Sequence, residues 1–461
     1  MLAIQDILAD LWRLGGGDAR ALARVTIEGD EPVLPSPFRC EAAAAASIAS
    51  VGLAAAELWR LRTGRPQSVS LSLTGAAMAF RSERYLTLNN AAPPDPWSAT
   101  SGFYETRDGR WIQLHTNFPH HRDGVLAVLG AEDSRDAVAQ AIKAEWDGAV
   151  LDQRLAEAGL CAALVRSPAE WAALPQAAAL ADIPVVRVEK IGDAPPQPMP
   201  VAARPLDGVR VLDLSRIIAG PVGSRALAEH GADVLLVTSP TLPFIPTLVM
   251  DTGRGKRSTH IDLETEAGRQ ALTALVRESD IFLQAYRPGS LARRGFGAEA
   301  LAALRPGIVA VSLSAYGDVG PWAERRGFDS LVQSASGIAW EGQQAFGTPG
   351  PKHLPCQVLD HATGYLAAFG AIEALRRRAT EGGSWHVRVA LAATGRWFTG
   401  LGRLADYRVS EPTPAQVAPW LETSETPFGT LSAVGPVLQM GVTPPRLDRP
   451  SVPLGTDPPQ W

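Results

Sequence analysis

Asp360 is the residue through which this chain could do covalent chemistry. It stands in Leu354-Pro-Cys-Gln-Val-Leu-Asp360-His-Ala-Thr-Gly364, where an extended segment gives way to a long apolar helix. Aspartate is favoured at a helix start because its oxygens accept the unpaired N–H groups of the first turn, and the helix dipole favours negative charge there. An ionised carboxylate held at that point can attack an activated acyl group, and a plain helix cap is the competing role. Other reactive types are sparse. Cys40, Cys161 and Cys356 are odd in number and lack CxxC spacing. That argues against a zinc site or a disulfide framework and for the reducing cytoplasm. Cys356 is expected to pack as an apolar residue. The adjacent rings of His120-His121 rarely meet one ion and no cysteine is near in sequence, so a structural or surface role is expected and no metal site is predicted.

The elements that must position Asp360 can be read from patterning. With 461 residues, 46% of them hydrophobic, the chain has room for two or three domains with sizeable cores. A net charge of −5 with well-mixed signs offers no nucleic-acid surface. No unbroken apolar run reaches the roughly 18 residues of a membrane span, and Met1-Leu-Ala-Ile-Gln-Asp-Ile lacks the basic start of a signal peptide. Strand patterns at Val209–Leu214, Val234–Val237, Ile281–Gln284 and Val309–Ser312 alternate with helix patterns at Val222–His230, Ala267–Ser279 and Ala298–Leu304. This predicts an α/β fold with a Rossmann-like, doubly wound parallel sheet. Ligands of such sheets bind beyond the carboxyl ends of the strands. Arg216-Ile217-Ile218-Ala219-Gly220-Pro221 follows the first strand and should face the ligand, Gly220 admitting a close backbone and Pro221 starting the helix. No GxGxxG is present, so no dinucleotide is expected. Upstream, a hairpin over 102–114 turning at Asp108-Gly109, short helices at His121–Leu129, Ala137–Trp146 and Leu151–Ala158, and a Ser167/Glu170 capping box predict a smaller α+β domain.

The chain also repeats itself. Ala42–Arg62 reads as a buried helix, Thr63-Gly64-Arg65-Pro66 ends it, and Ser68–Leu73 alternates as a strand. The same plan recurs at Tyr365–Arg378, Thr380–Gly383 and His386–Leu391. Aligning the strands sets Ala42 opposite Asp360, with Glu41 the nearest carboxylate. We read an internal repeat whose first copy has lost its nucleophile; two unrelated helix–strand units are the alternative. The expected organisation is a degenerate half-repeat at 1–95, the small α+β domain at 96–193, a stiff Pro-rich linker at 194–204, the Rossmann-like domain at 205–400, and a tail at 401–461 that wraps back to the small domain.

From Pro205 to Ala392 a series of stretches resembles, in order, the class III CoA-transferases of the CaiB/BaiF type. These are Pro205-Leu-Asp-Gly-Val-Arg-Val-Leu-Asp213-Leu-Ser-Arg216-Ile-Ile-Ala-Gly220-Pro221; Gly255-Lys256-Arg257-Ser258; Tyr286-Arg287-Pro288-Gly289 running to Arg293; Ser312 to Gly317; Gly327-Phe328-Asp329 to Gln333; and the Asp360 segment. That family includes formyl-CoA transferase, the carnitine CoA-transferases and α-methylacyl-CoA racemase. The resemblance implies that Asp360 is the nucleophile, with backbone N–H groups near Asp360 and Gly364, and the side chain of Gln333, meeting oxyanions. It implies CoA contacts from Arg216, Ile217, Ile218, Ala219 and Gly220, from Arg293 and Arg326, and added charge from Lys256 and Arg257 on a neighbouring loop. No tightly bound cofactor is implied: acyl-CoA and a small carboxylic acid are the partners, with no nucleic acid or membrane, and a homodimer is left open. Departures occur at Ala285, Glu264 and the apolar Pro240–Asp251 stretch. Phe328 replaces the histidine of the racemase branch, which argues for transfer over racemisation. An acyl-CoA racemase or isomerase, or a non-catalytic CoA-binding subunit, are the alternatives.

Overall fold

The computed structural model describes residues 2–94 and 97–461, so the boundary expected at 95/96 lies outside the described residues. The alternating patterns build one seven-stranded sheet. Its strands are β1 (Arg187–Gly192), β2 (Arg210–Leu214), β3 (Asp233–Thr238), β4 (Lys256–His260), β5 (Ile281–Gln284), β6 (Val309–Ser314) and β7 (Ser384–Ala390). Their spatial order is β4-β3-β2-β5-β6-β7-β1. Neighbours run parallel except β7 with β1. Val211, Ile281 and Val309 bury one face while Leu212, Phe282 and Ala310 bury the other. Apolar residues on both faces are what a parallel sheet covered on both sides demands. The strand order reverses between β2 and β5, which opens a crevice beyond Leu214 and Gln284.

Four helices matter for the site: α1 (Cys40–Thr63), α2 (Ala219–Glu229), α3 (Asp329–Ala335) and α4 (Val358–Glu381). α4 packs against α1, α2, β6 and β7. α1 and α4 each have 24 residues, and Ala42 and Asp360 are both third in line. Both helices stop at a glycine with positive φ, Gly64 at 73° and Gly382 at 72°. The alanine run of α1 is almost wholly buried, because small side chains let neighbouring elements approach closely. By length and composition alone α1 could cross a membrane, although its apolar run is broken, and its most apolar stretch is 100% buried within the fold. Ser47 and Ser50 interrupt the run, but their hydroxyls bond to carbonyls of their own helix.

The smaller antiparallel sheet pairs Gly102–Glu105 with Trp111–Leu114 and the latter with Ala162–Leu164. It has its own core around Tyr104, Ile112, Leu114, Val125 and Leu151. The Ser167/Glu170 capping box is present. Two expectations change. Lys256 and Arg257 lie on the edge strand β4, not on a loop. The tail, expected to return to the 96–193 unit, pairs Gly429–Val434 with Thr87–Leu88 and Gln439–Met440 with Val69–Ser72. Its end runs along β4, where the Asp457 N–H donates to the Ser258 carbonyl at 2.7 Å.

Candidate active site

Asp360 does not cap its helix. Gln357 stands at the cap position and Asp360 is inside the first turn. There its backbone N–H donates to Oδ2 of Asp329 at 2.8 Å. A carboxylate from another helix therefore satisfies the N–H that an N-cap side chain would normally take. Asp329 opens α3, and its other oxygen accepts from Nε2 of Gln333. Oε1 of Gln333 accepts the Leu354 N–H at 2.9 Å. Both ends of the Gln333 amide are thus committed to holding Asp329 and the approach to α4, and the structure places it behind the cleft wall rather than at an oxyanion.

Asp360 is 7% exposed, and what it faces is an open cleft of ≈ 460 Å³ at the carboxyl ends of β2 to β6. Burial first, then the charges of Asp329 and Glu83, hold its carboxyl well above the usual carboxylate range. Burial likewise raises Asp329 to about 6, against the N–H donors of Asp360, Gln333 and Leu359. Two carboxylates this close cannot both ionise freely. Asp329 accepts the donors, so above about pH 6 the proton the pair retains sits on Asp360.

The turn after β2 forms the cleft floor, with Arg216, Ile217, Ile218, Ala219 and Gly220 all lining it. Ile217 has φ of 74°, a left-handed conformation that a β-branched residue adopts only under strain. The strain follows from close packing of this turn on α4. A Cβ on Gly364 would meet the Ala219 carbonyl oxygen at 2.4 Å, and one on Gly220 would meet Cβ of Ser215 at 2.3 Å. Gly364 therefore serves close approach of α4 to the turn; it is interior to α4, where N–H groups are spent on the helix. α2 starts at Ala219, two residues ahead of Pro221, and its first helical bond runs from the Val222 N–H to the Ile218 carbonyl. The N–H groups of Ala219 and Gly220 precede that bond and sit at the positive end of the helix dipole.

The basic residues divide. Arg216, Arg287 and Arg326 line the cleft, and among the described residues none of the three is ion-paired to a carboxylate. Arg216 lies over the rings of Phe118 and Tyr286, at 5.7 and 5.9 Å to their centroids, and donates to the Pro243 carbonyl at 3.1 Å. Arg326 lies 3.1 Å from Nε2 of His121, and its own Nε is buried without a partner. Lys256 is elsewhere: its Nζ is buried against Oδ2 of Asp213 at 3.1 Å and the Pro221 carbonyl at 2.8 Å, which supports the turn from beneath. Arg257 pairs with Asp233 and lies over Trp461. Arg293 is not among the lining residues. Of the expected CoA contacts, these three lie outside the cleft lining.

The sequence reading missed several residues of the site. Of the pair expected to be structural or at the surface, His120 is exposed and His121 is buried, and both line the cleft beside Arg326. His121 is lowered to about 3, by burial and then by His120 and Arg326, so its ring is neutral. Phe328 stacks on His115 at 3.9 Å between centroids. Asp329 was legible only as part of a motif. Glu83 comes from the first half of the chain.

Comparison with known proteins follows the two-part layout. A family model described as CoA-transferase family III matches residues 19–204 and again 206–419. An acyl-CoA transferase of Gibberella moniliformis is 31% identical over 420 residues, which is 82% of this chain and 74% of the relative. A succinyl-CoA–D-citramalate CoA-transferase of Chloroflexus aurantiacus is 34% identical over 196 residues, 39% of this chain and 47% of the relative. A solved CAIB/BAIF family protein from Brucella suis aligns with 30% identity over 50% of this chain and 65% of its own, with a TM-score of 0.39. The chain thus spans about three quarters of the first relative and about half of the second.

Proposed function

We propose that this chain, which belongs to CoA-transferase family III, moves CoA from an acyl-CoA to a small carboxylic acid through a thioester on Asp360. The observation that carries this reading is Asp360 itself, on the wall of a cleft whose floor is the strained Arg216–Gly220 turn and whose rim holds three arginines free of carboxylate partners among the described residues. Arginine suits the phosphates of CoA because its planar fork meets two oxygens at once.

The chemistry runs in two matched halves. The Asp360 carboxylate attacks the thioester carbonyl of the donor, the C–S bond breaks, and an acyl–aspartyl anhydride and CoA thiolate result. The thiolate attacks the aspartyl carbonyl, releasing the first acid and leaving CoA as a thioester on Asp360. The acceptor carboxylate then attacks that thioester, giving a second anhydride and thiolate. Attack of the thiolate on the acceptor's carbonyl forms the new acyl-CoA and returns Asp360 as carboxylate. Covalent catalysis divides one difficult exchange into steps that each have a competent nucleophile. The N–H groups of Ala219 and Gly220 are the donors we assign to the developing oxyanions. The crowding that raises the proton affinity of Asp360 also makes its ionised form the stronger nucleophile. Phe328 carries no base, and burial holds His115 and His121 well below the usual histidine range, which leaves both as weak bases for α-proton exchange.

The test is isotope exchange. An acyl-CoA incubated with its own free acid in labelled form should gain label with the wild type and not with Asp360→Ala. Retained exchange in Asp360→Ala overturns the assignment. CoA binding without any exchange in the wild type turns the reading to a non-catalytic CoA-binding subunit.

A further inference from the structure

The catalytic turn has a contact from the other half of the chain that no reading of the second half alone would require. Phe80 to Glu83, which follows the strand Val69–Ser72 and its short helix, reaches the first turns of α4 at several points. The Phe80 ring stacks on His361 at 5.3 Å and on Tyr365 at 6.0 Å. Ser82 donates to Oδ2 of Asp251 at 2.6 Å. Nε2 of His361 donates to Oε2 of Glu83 at 3.1 Å. The His361 side chain is 1% exposed and that of Glu83 13%, so this pair is largely out of water.

We propose that Glu83 is a positioning residue of the transfer reaction, acting through His361 on the turn that carries Asp360. This rests on the transfer reading above. His361 follows Asp360 directly, so whatever fixes its ring fixes the peptide that orients the nucleophile. Phe80 limits the ring from one face, and Glu83 sets which nitrogen carries the hydrogen. The other nitrogen, Nδ1, is buried without a partner. Holding a buried histidine by one hydrogen bond makes that bond the determinant of its tautomer. Glu83 has a second effect. Its charge is one of the causes that raise Asp360, so it favours the basic, nucleophilic form of the group once ionised. The other charged or titratable groups around this turn are Asp329 from α3, Arg84 beside Glu83, Arg225 from α2, Asp251 and Arg254 around Ser82, and Tyr365 on α4. Arg225 and Arg254 are taken up by Asp251 at 3.0 and 2.8 Å. They therefore do not neutralise Glu83, whose cationic neighbour Arg84 lies at 3.8 Å with 43% of its side chain exposed.

The experiment compares wild type, Glu83→Gln, Glu83→Asp and His361→Asn in the exchange assay across pH, with thermal unfolding in parallel. For Glu83→Gln we expect kcat to fall roughly 10–100-fold with the KM for acyl-CoA within about twofold. We also expect the acidic limb of the rate profile to move to lower pH, because one negative charge facing Asp360 is gone. Glu83→Asp, which keeps the charge, should keep the limb where the wild type has it. His361→Asn should lower kcat to a similar degree, and adding Glu83→Gln to it should lower kcat little further. A limb and kcat unchanged in Glu83→Gln, or a loss that follows thermal stability alone, overturns the proposal while leaving Asp360 chemistry intact. If Glu83→Gln does not fold, the limb position in Glu83→Asp and the kcat of His361→Asn decide. A wild type without exchange overturns this proposal together with the reading it rests on.

Discussion

Replacing Asp329 by asparagine should change stability in a way that depends on pH, and the structure fixes the sign. Asp329 is 1% exposed, and burial raises its carboxyl from 3.8 to about 6. The folded protein therefore keeps a proton that the unfolded chain has already released. Stability from this group falls as pH rises from about 4 through about 6, and its full cost is present above that. Each tenfold change in the proton equilibrium is worth about 1.4 kcal/mol, so the cost at pH 8 is about 3 kcal/mol and at pH 4.5 about 1 kcal/mol. The amide in the Asp329→Asn variant does not titrate. It does lose acceptor strength toward the Asp360 N–H and the Gln333 amide, a loss of roughly 0.5–1.5 kcal/mol at pH 4.5, where the parent carboxyl is itself neutral. The variant is thus expected to lie within about 1 kcal/mol of the parent at pH 4.5. By pH 8 the difference should have moved about 2 kcal/mol in the variant's favour. Relief of Asp360, which Asp329 also raises, acts in the same direction. Urea unfolding at the two pH values measures this directly. A difference of equal size at both would refute the reasoning, because it would mean that ionising Asp329 carries no penalty.

Three further outcomes follow from the same geometry. The exchange rate should fall as pH drops through the raised value of Asp360, so its acidic limb should lie above the ordinary carboxylate range; a limb near the ordinary carboxylate value of about 4 would contradict this. Arg216→Ala and Arg326→Ala should each raise the KM for acyl-CoA by about tenfold, as expected for losing a charge-assisted hydrogen bond, and steepen the loss of affinity with added salt in neither case; unchanged KM in both removes them from the CoA site. Lys256→Met should cost about 3–5 kcal/mol of stability by leaving the buried Asp213 without its cation, while a folded remnant keeps its KM; a KM effect without destabilisation would restore Lys256 to the ligand.

The fold was legible where local pattern and burial agree. Ile281–Gln284 and Ala298–Leu304 appear with the predicted bounds because both are short apolar runs between clear turn signals. β4 was not legible, since Lys256-Arg257-Ser258-Thr259-His260 carries no apolar alternation; it is a strand because β3 and the tail pair with it on both sides. The same tertiary demand misled the charge reading. Lys256 looks like a loop cation in sequence and is in fact the counter-ion of Asp213. Asp360 could be found from its position at a helix start, yet its cap is Asp329, 31 residues away. His121 and Glu83 reach the same site from still more distant segments; the His120-His121 pair stands out in sequence but its partner Arg326 does not, and nothing around Glu83 marks it. The shared helix plan of the two halves was visible because α1 and α4 share length and stop signals, whereas the contact of Phe80 and Glu83 with α4 depends on how the two halves pack.

The central claim is that Asp360 becomes covalently bonded to CoA. Incubating the protein with an acyl-CoA and quenching with hydroxylamine should convert Asp360, and no other carboxylate, to a hydroxamate visible in the mass of its peptide. The signal should require acyl-CoA and vanish in Asp360→Ala. An enzyme that exchanges label at full rate while the Asp360 peptide stays unmodified would contradict the account.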